Sequence, residues 1–238
     1  MIPIDKNESP IFPLSHEQLS HILSEMQMNL YPDDDYEQFR QAYASFYNLK
    51  PNQIIAANGS DELIQKLMMV MPEGPALTLN PDFFMYQAYA AQVKRPIEFV
   101  ESDEDLQFQL DEILEKIETV RPAFFIMSNP HNPTGKQFDM TWITQISEKL
   151  KAINSFFVID EAYLDYGQAY KVVNDSHIIR MRTLSKAFGI AGLRLGVIIS
   201  NEETIRLIQR IEHPYPLNVF TLKVATTLFN SKRETTTF

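Results

Sequence analysis

Residues 123–160 read AFFIMSNPHNPTGKQFDMTWITQISEKLKAINSFFVID, and their pattern sets the architecture of the whole chain. An apolar run, AFFIMS at 123–128, gives way to turn residues, then to a helical stretch over 139–151, then to a second apolar run, FFVID at 156–160. Short apolar runs bounded by turns and separated by amphipathic helices indicate strands buried on both faces of a mainly parallel sheet. The alternation extends outward in both directions. Upstream, IIAA at 54–57 precedes a helix from about Asp61 to Met71, ALTLN at 76–80 precedes one over 83–92, and IEFV at 97–100 precedes one over 110–120. Downstream, HIIRMRT at 177–183 and LGVIIS at 195–200 complete the strands. The expected fold class is α/β, three layers (α/β/α) around a mainly parallel sheet.

Ahead of this core, residues 1–14, with Pro3, Pro10 and Pro13, read as an extended arm. Ser15 and Gln18 form a capping-box pattern that opens a helix carrying Leu19, Ile22, Leu23 and Met26 on one face. A second helix is expected after Asp33–Asp35; its Tyr36, Phe39, Tyr43, Phe46 and Tyr47 recur at helical spacing and read as core packing.

Composition narrows the function. With 45% hydrophobic and 22% charged residues, the 238-residue chain is neither disordered nor collagen-like. Its longest apolar runs stop at about five residues, against the roughly 20 of a membrane-spanning helix. No apolar stretch follows Asp5 and Lys6 as in a secretory signal, so a cytoplasmic protein without membrane association is expected. Lys and Arg number 21 against 31 Asp and Glu; the resulting charge of −10 is the wrong sign for a nucleic-acid binder. Without cysteine, and with five scattered histidines at no metal-binding spacing, neither a disulfide nor a metal centre is expected.

Ligands of such sheets bind beyond the carboxyl ends of the strands. The segments there are Asn58-Gly59-Ser60-Asp61, Asn80-Pro81-Asp82-Phe83, Ser128 through Gly135, Asp160-Glu161-Ala162-Tyr163 and Thr183 through Gly189. Gly59-Ser60-Asp61 suits a helix start, either as a simple cap or as an anion site. Asp160 closes the apolar run Phe156–Ile159, where a buried carboxylate is costly without a partner. Its cation could be an arginine such as Arg182 or Arg194, or a protonated heterocyclic nitrogen on a cofactor.

The ordered motifs KNESP, LYPDDDY, NGSDE, PDFxxY, SNPHNPTG, VIDEAY and RTLSKAFGIAGLRLG resemble histidinol-phosphate aminotransferase, a pyridoxal-phosphate (PLP) enzyme of the class II aminotransferase subgroup and fold type I. The resemblance runs from Asn7 to about Asn218. It implies that Lys186 forms a Schiff base with the cofactor aldehyde and, once freed, moves a proton between the substrate's Cα and the cofactor's C4′. It implies that Asp160 pairs with the pyridinium nitrogen, that Tyr163 and Asn132 hydrogen-bond the ring's 3-hydroxyl, and that Phe83 stacks on the ring. PDF departs here from the commoner PTY, and a stacking face is retained. The cofactor phosphate would meet Gly59, Ser60, Asp61, Thr183, Ser185 and Arg194, together with Tyr31 of a partner subunit, which implies a homodimer. Asn7 and Glu8 would lie near the substrate.

The activity implied is transamination of L-histidinol phosphate with 2-oxoglutarate, giving imidazole-acetol phosphate and glutamate in histidine biosynthesis. Threonine-phosphate decarboxylase and aromatic aminotransferases are related alternatives. The resemblance divides the chain into an N-terminal arm and first helix (1–30), a PLP-binding large domain (31–220) and the start of a linker helix (221–238). The small C-terminal domain that follows in the family, with its substrate-gripping arginine, is expected to be absent, and the tail from Ser231 to Phe238 reads as a solvated end. A non-catalytic PLP-binding or dimer-forming remnant is therefore the alternative from a different functional class.

Overall fold

The computed structural model describes residues 5–171 and 175–231, and one seven-stranded sheet lies at its centre. In chain order the elements are α1 (His16–Glu25), α2 (Asp33–Phe46), β1 (Ile54–Asn58), α3 (Gly59–Val70), β2 (Ala76–Asn80), α4 (Met85–Gln92), β3 (Ile97–Glu101) and α5 (Leu110–Val120). They continue with β4 (Phe124–Ser128), α6 (Met140–Ala152), β5 (Phe156–Asp160), β6 (Ile178–Thr183), β7 (Leu195–Ile199), α7 (Glu202–Gln209) and α8 (Val219–Asn230). The strand order is β1-β7-β6-β5-β4-β2-β3. Neighbours pair parallel except at β7, which runs antiparallel to both β1 and β6. The mainly parallel α/β/α sandwich expected from the alternation is thus present, each strand lying within one residue of its reading at either end.

Period-two alternation sorts the strand side chains onto two faces. Ile55, Ala57, Phe124, Ile126, Val158 and Ile198 face one way and pack with α3, α4 and α7 through Leu63, Leu67, Tyr86 and Ile205. On the other face, Leu77, Phe125, Met127, Phe157 and Ile159 meet α5 and α6 through Ile113, Ile117, Ile143 and Ile146. Beside them Ile54, Ala56, Leu195 and Val197 meet α2 and α8. The α2 aromatic stripe is core packing, as its spacing implied. Phe229 of α8 lies 4.9–6.2 Å from the rings of Phe39, Tyr43, Phe46 and Tyr47. The expected boundary between residues 220 and 221 consequently falls inside a helix that packs on α2. Residues 232–238 of the expected tail lie outside the described residues, as do residues 1–4 of the arm.

Three local readings need correction. IEFV was expected to be buried on both sides, yet β3 is the sheet's edge and leaves Glu98 and Glu101 exposed, because among the described residues no strand pairs beyond it. Leu23 is exposed rather than part of the buried stripe of α1; that short helix buries only Ile22, although its Ser15–Gln18 capping box forms as read. The third helix starts at Gly59, two residues before its expected position, and this brings the Gly59-Ser60-Asp61 amides into the first turn. Among the described residues no helix is long and apolar enough to cross a membrane.

Buried polar contacts lock the loops beyond β2 and β4 to one another. Asp82 accepts hydrogen bonds from the Ser128 amide at 3.0 Å, the Ser128 hydroxyl at 2.6 Å and the Phe83 amide at 2.7 Å. His131 bonds the Pro81 carbonyl at 2.9 Å and the Thr134 hydroxyl at 2.7 Å. Its Nε2 lies 4.0 Å from Asp82, but burial lowers the imidazole's pKa and raises that of the carboxyl, which is not the pattern of an ion pair. Burial lifts Asp82 to about 7 against the three donated bonds, with the nearby Asp160 charge a further upward push. A raised carboxyl pKa means that the folded state holds the proton more tightly than the unfolded state. The associated stability is present in acid and is lost as pH climbs from the ordinary carboxyl range through about 7. The stability of wild type relative to Asp82→Asn should therefore fall between pH 4 and 8 by on the order of 3 kcal/mol. Chemical denaturation across that range checks it; parallel profiles for the two proteins would show that Asp82 titrates normally.

Candidate functional site

Because β2, β4, β5 and β6 run parallel, their carboxyl ends open on one edge of the sheet, and β1 delivers the start of α3 to the same edge. Strand β7 runs the other way, so its beginning, next to Arg194, arrives there instead. A cleft of about 110 Å³ forms at this edge. Its walls are Ser60 and Asp61 from α3, Phe83 beyond β2, Ser128 and Asn132 beyond β4, Asp160, Ala162 and Tyr163 beyond β5, and Thr183, Ser185, Lys186 and Arg194 around the turn between β6 and β7. A groove of about 520 Å³ adjoins it, sharing Asn132 and Tyr163 and adding Asn7 and Glu8 of the arm. A larger cavity of about 710 Å³, lined by Lys151, His177 and Arg210, lies by the opposite ends of β5 and β6 and contains none of these residues.

At the floor of the cleft Asp160 is 4% exposed. The Tyr86 hydroxyl donates to one carboxylate oxygen at 2.8 Å and the Ala162 amide to the other at 3.1 Å. Neither arginine that could have served as its structural partner does so. Arg182 bonds Asp165 at 2.5 Å and lies over the Tyr47 ring, whereas Arg194 bonds Asp61 at 2.7 Å. Among the described residues no cation reaches Asp160, and burial raises its pKa to about 6 despite the two donated bonds. A buried carboxylate with donors but no counter-charge is suited to receive a cationic ligand group.

Lys186 lines the same cleft. Its amine donates to the Lys6 carbonyl at 2.6 Å and lies 5.8 Å from the centre of the Tyr163 ring. Partial burial lowers its pKa, Glu8 opposes that shift and the Arg194 charge assists it. Tyr163 in turn accepts a bond from the Asn7 side chain at 3.1 Å. The Asn132 backbone N–H donates to the Ser128 hydroxyl at 2.8 Å, so the Asn132 backbone is held through Ser128 by Asp82.

At the third corner, α3 begins with no side-chain cap for its first amide groups, and its Ser60 and Asp61 line the cleft. Gly59 has φ +85°, and a Cβ there would come within 2.6 Å of the Arg194 guanidinium. A Cβ on Gly196 would lie 2.5 Å from the Gly59 carbonyl carbon and the Ser60 nitrogen, so strand β7 approaches the helix start only because that residue is glycine. Thr183 accepts from the Ser185 amide at 3.2 Å, and Arg194 reaches the Ser185 hydroxyl at 3.4 Å.

The sequence-derived set is therefore largely brought together. Gly59 sits behind Arg194 rather than in the wall, and Asn7 and Glu8 line the neighbouring groove. Tyr31 is outside its own chain's cleft, 72% exposed and stacked on Tyr215 at 4.1 Å. Sequence reasoning missed the roles of Tyr86, Ser128 and Gly196. Tyr86 stood in the PDFxxY motif three residues after Phe83, and Gly196 was legible as a glycine inside a strand. No cluster able to hold a metal ion occurs among the described residues.

The family model for aminotransferase class I and II matches residues 5–237. Histidinol-phosphate aminotransferase of Clostridium novyi is 37% identical over 225 residues, covering 91% of this chain and 62% of the relative. The protein of the same description from Caldanaerobacter subterraneus is 34% identical, covering 96% of this chain and 66% of its own. The chain thus spans about 62–66% of the length of these curated relatives. Among solved structures, histidinol-phosphate aminotransferase of Sinorhizobium meliloti in complex with pyridoxal-5′-phosphate superposes with a TM-score of 0.85 at 21% identity, over 94% of this chain and 63% of that one. The Clostridium acetobutylicum enzyme gives 0.80 at 22%, over 95% and 71%. At such identities the superpositions establish the fold, which is that of the fold type I aminotransferases. With the family model spanning nearly its full length, the chain belongs to the class I and II aminotransferase family.

Proposed function

We propose that this chain is the cofactor-binding portion of a PLP-dependent aminotransferase acting on histidinol phosphate with 2-oxoglutarate, in the large-domain division given above. The observation that carries the reading is one cleft in which an amine, Lys186, and a buried carboxylate without a counter-cation, Asp160, meet an uncapped helix start beside Arg194. The residues fit the cofactor on two independent counts. Asp160 offers a buried anion to a protonated ring nitrogen. The amides of Gly59–Asp61, the hydroxyls of Thr183 and Ser185 and the Arg194 guanidinium form a donor set for a phosphate dianion.

In this reading Asp160 holds a proton on the ring nitrogen, Tyr163 and Asn132 donate to the ring hydroxyl, and Phe83 covers one ring face. When bound, pyridoxal phosphate supplies the aldehyde that takes up an amino group and the ring that delocalises electrons from the substrate's Cα. Lys186 removes and returns the proton at that Cα, a task for which the amine must be neutral; burial and the Arg194 charge favour the neutral form. The arm, with Asn7 bonded to Tyr163 and Glu8 in the groove, borders the space left for substrate. Histidinol phosphate as substrate rests on the curated relatives. A homodimer in which Tyr31 serves the partner's site is consistent with the exposure of Met28, Leu30 and Tyr31 together.

Borohydride reduction of the chain incubated with pyridoxal phosphate should fix the cofactor to the Lys186 peptide, read by mass spectrometry, and Lys186→Ala should abolish it. Labelling of other lysines alone would remove the site assignment. Arg194→Gln should weaken pyridoxal phosphate binding about 10- to 100-fold, the loss of one charge-assisted hydrogen bond worth roughly 1.5–3 kcal/mol. Binding of pyridoxal, which lacks the phosphate, should barely change, and equilibrium dialysis separates the two. The loaded chain mixed with histidinol phosphate should form imidazole-acetol phosphate in a single turnover, detected by mass. Its absence from a chain that binds the cofactor would defeat the activity while sparing the site.

A further inference from the structure

Tyr86 has no part in the chemistry described so far, yet it touches two of the residues on which that chemistry depends. It lies in the first turn of α4 and is 1% exposed, packed among the side chains of α3, β4, β5 and β6. Its hydroxyl donates to Asp160 at 2.8 Å, and its ring meets Phe83 edge-on with centroids 5.6 Å apart. Asp160 ends β5, whereas Phe83 follows β2, and in the sheet order β4 stands between those strands. One side chain therefore sets the position of a carboxylate and of an aromatic face that reach the cleft on separate segments.

Resting on the cofactor reading above, we propose that Tyr86 is a positioning residue that fixes the Asp160 carboxylate and keeps it ionised toward the ring nitrogen of the bound cofactor. Among the described residues Asp160 has two protein donors, and the other, the Ala162 amide, belongs to its own turn two residues on. Tyr86 is thus the tether from a different part of the fold that sets the carboxylate's direction. The remaining charged groups around Asp160 do not replace it. Glu161 and Asp61 bear like charge and push its proton affinity up, each being already paired, with Arg180 and Arg194 respectively. Asp82 is a further acid coupled to it. Burial also holds the Tyr86 phenol well above its ordinary pKa, with Asp160 and Asp82 adding to the shift, so the hydroxyl keeps its proton and remains a donor.

Tyr86→Phe isolates the hydroxyl, since the ring and its packing on Phe83 persist. With 13C-carboxyl-labelled aspartate, and the Asp160 resonance assigned by its loss in Asp160→Asn, the titration midpoint of Asp160 in the cofactor-free variant should rise by about one pH unit. Affinity for pyridoxal phosphate, by equilibrium dialysis, should fall about tenfold, with the circular dichroism of the fold unchanged. A residue that merely fills space would leave the midpoint in place, and an unmoved Asp160 titration overturns the assignment. A wild-type chain that binds no pyridoxal phosphate would instead overturn the functional reading on which the assignment rests, so the two failures are distinguishable.

Discussion

A carboxylate placed at the buried end of a central strand is the constraint around which the rest of this structure is organised. Asp160 continues a strand whose preceding residues Phe157, Val158 and Ile159 are wholly enclosed, and the chain gives it two hydrogen-bond donors but no cation among the described residues. Leaving such a group ionised carries an energetic cost, visible as a proton affinity lifted to about 6. Structural ion pairs elsewhere in the same sheet show that the fold does supply arginines where it needs them. Arg180 is bidentate on Glu161 and Arg182 is held by Asp165, the two acids lying within a few residues after Asp160. Glu161, Asp165 and Asp61 are each met by an arginine and Asp160 is not, which is the arrangement of a site prepared for a cationic ligand group.

Strand direction then determines what can meet that carboxylate. Parallel strands with crossover helices bring loop after loop to one edge, and the single reversed strand, β7, brings its own start there. Arg194 precedes β7, and Gly196 one turn of the pleat later allows the strand to press against the first residues of α3. The helix start and the guanidinium are consequently neighbours. A chain of net charge −10 can hold a dianion in this way because the donors are local: unpaired helix amides, two hydroxyls and one arginine. Asp61 sits close by, but its charge is met by one N–H of a guanidinium that has five; two long contacts at 3.4 Å go to Ser185 and Ala191, and the remaining N–H groups are left for a ligand.

The strands were legible because each is a short apolar run punctuated by turn residues, and parallel burial produces no other pattern. The exception is instructive. IEFV reads as a short apolar run like its neighbours but lies at the edge, and the exposed Glu98 within it, a charge that β2 and β4 lack, is the local sign of that position. Site residues were legible where a motif carried them, as with Lys186 in SKAFG and Asp160 in VIDEAY. What supports those residues was not. Tyr86 and Ser128 act through contacts across 74 and 46 residues of sequence, and such pairings exist only once the sheet order is known.

That distance between motif and support bears on how the site tolerates change. Asn132 is placed by Ser128, which is placed by Asp82, while Asp160 and Phe83 are both touched by Tyr86, and Asp82 and Asp160 influence each other's proton affinity. The supporting residues therefore form one connected polar layer beneath the cleft, spanning the ends of β2, β4 and β5. In a layer of low dielectric, satisfying one group strengthens the next, and removing one leaves its partners buried and short of a bond. Substitutions in this layer should consequently alter several facing residues at once, whereas substitutions at the rim, such as those of the exposed arm, act on single contacts. The coupling follows from burial rather than from the identity of any bound group, and it makes the second layer as much a part of the site's chemistry as the residues that line it.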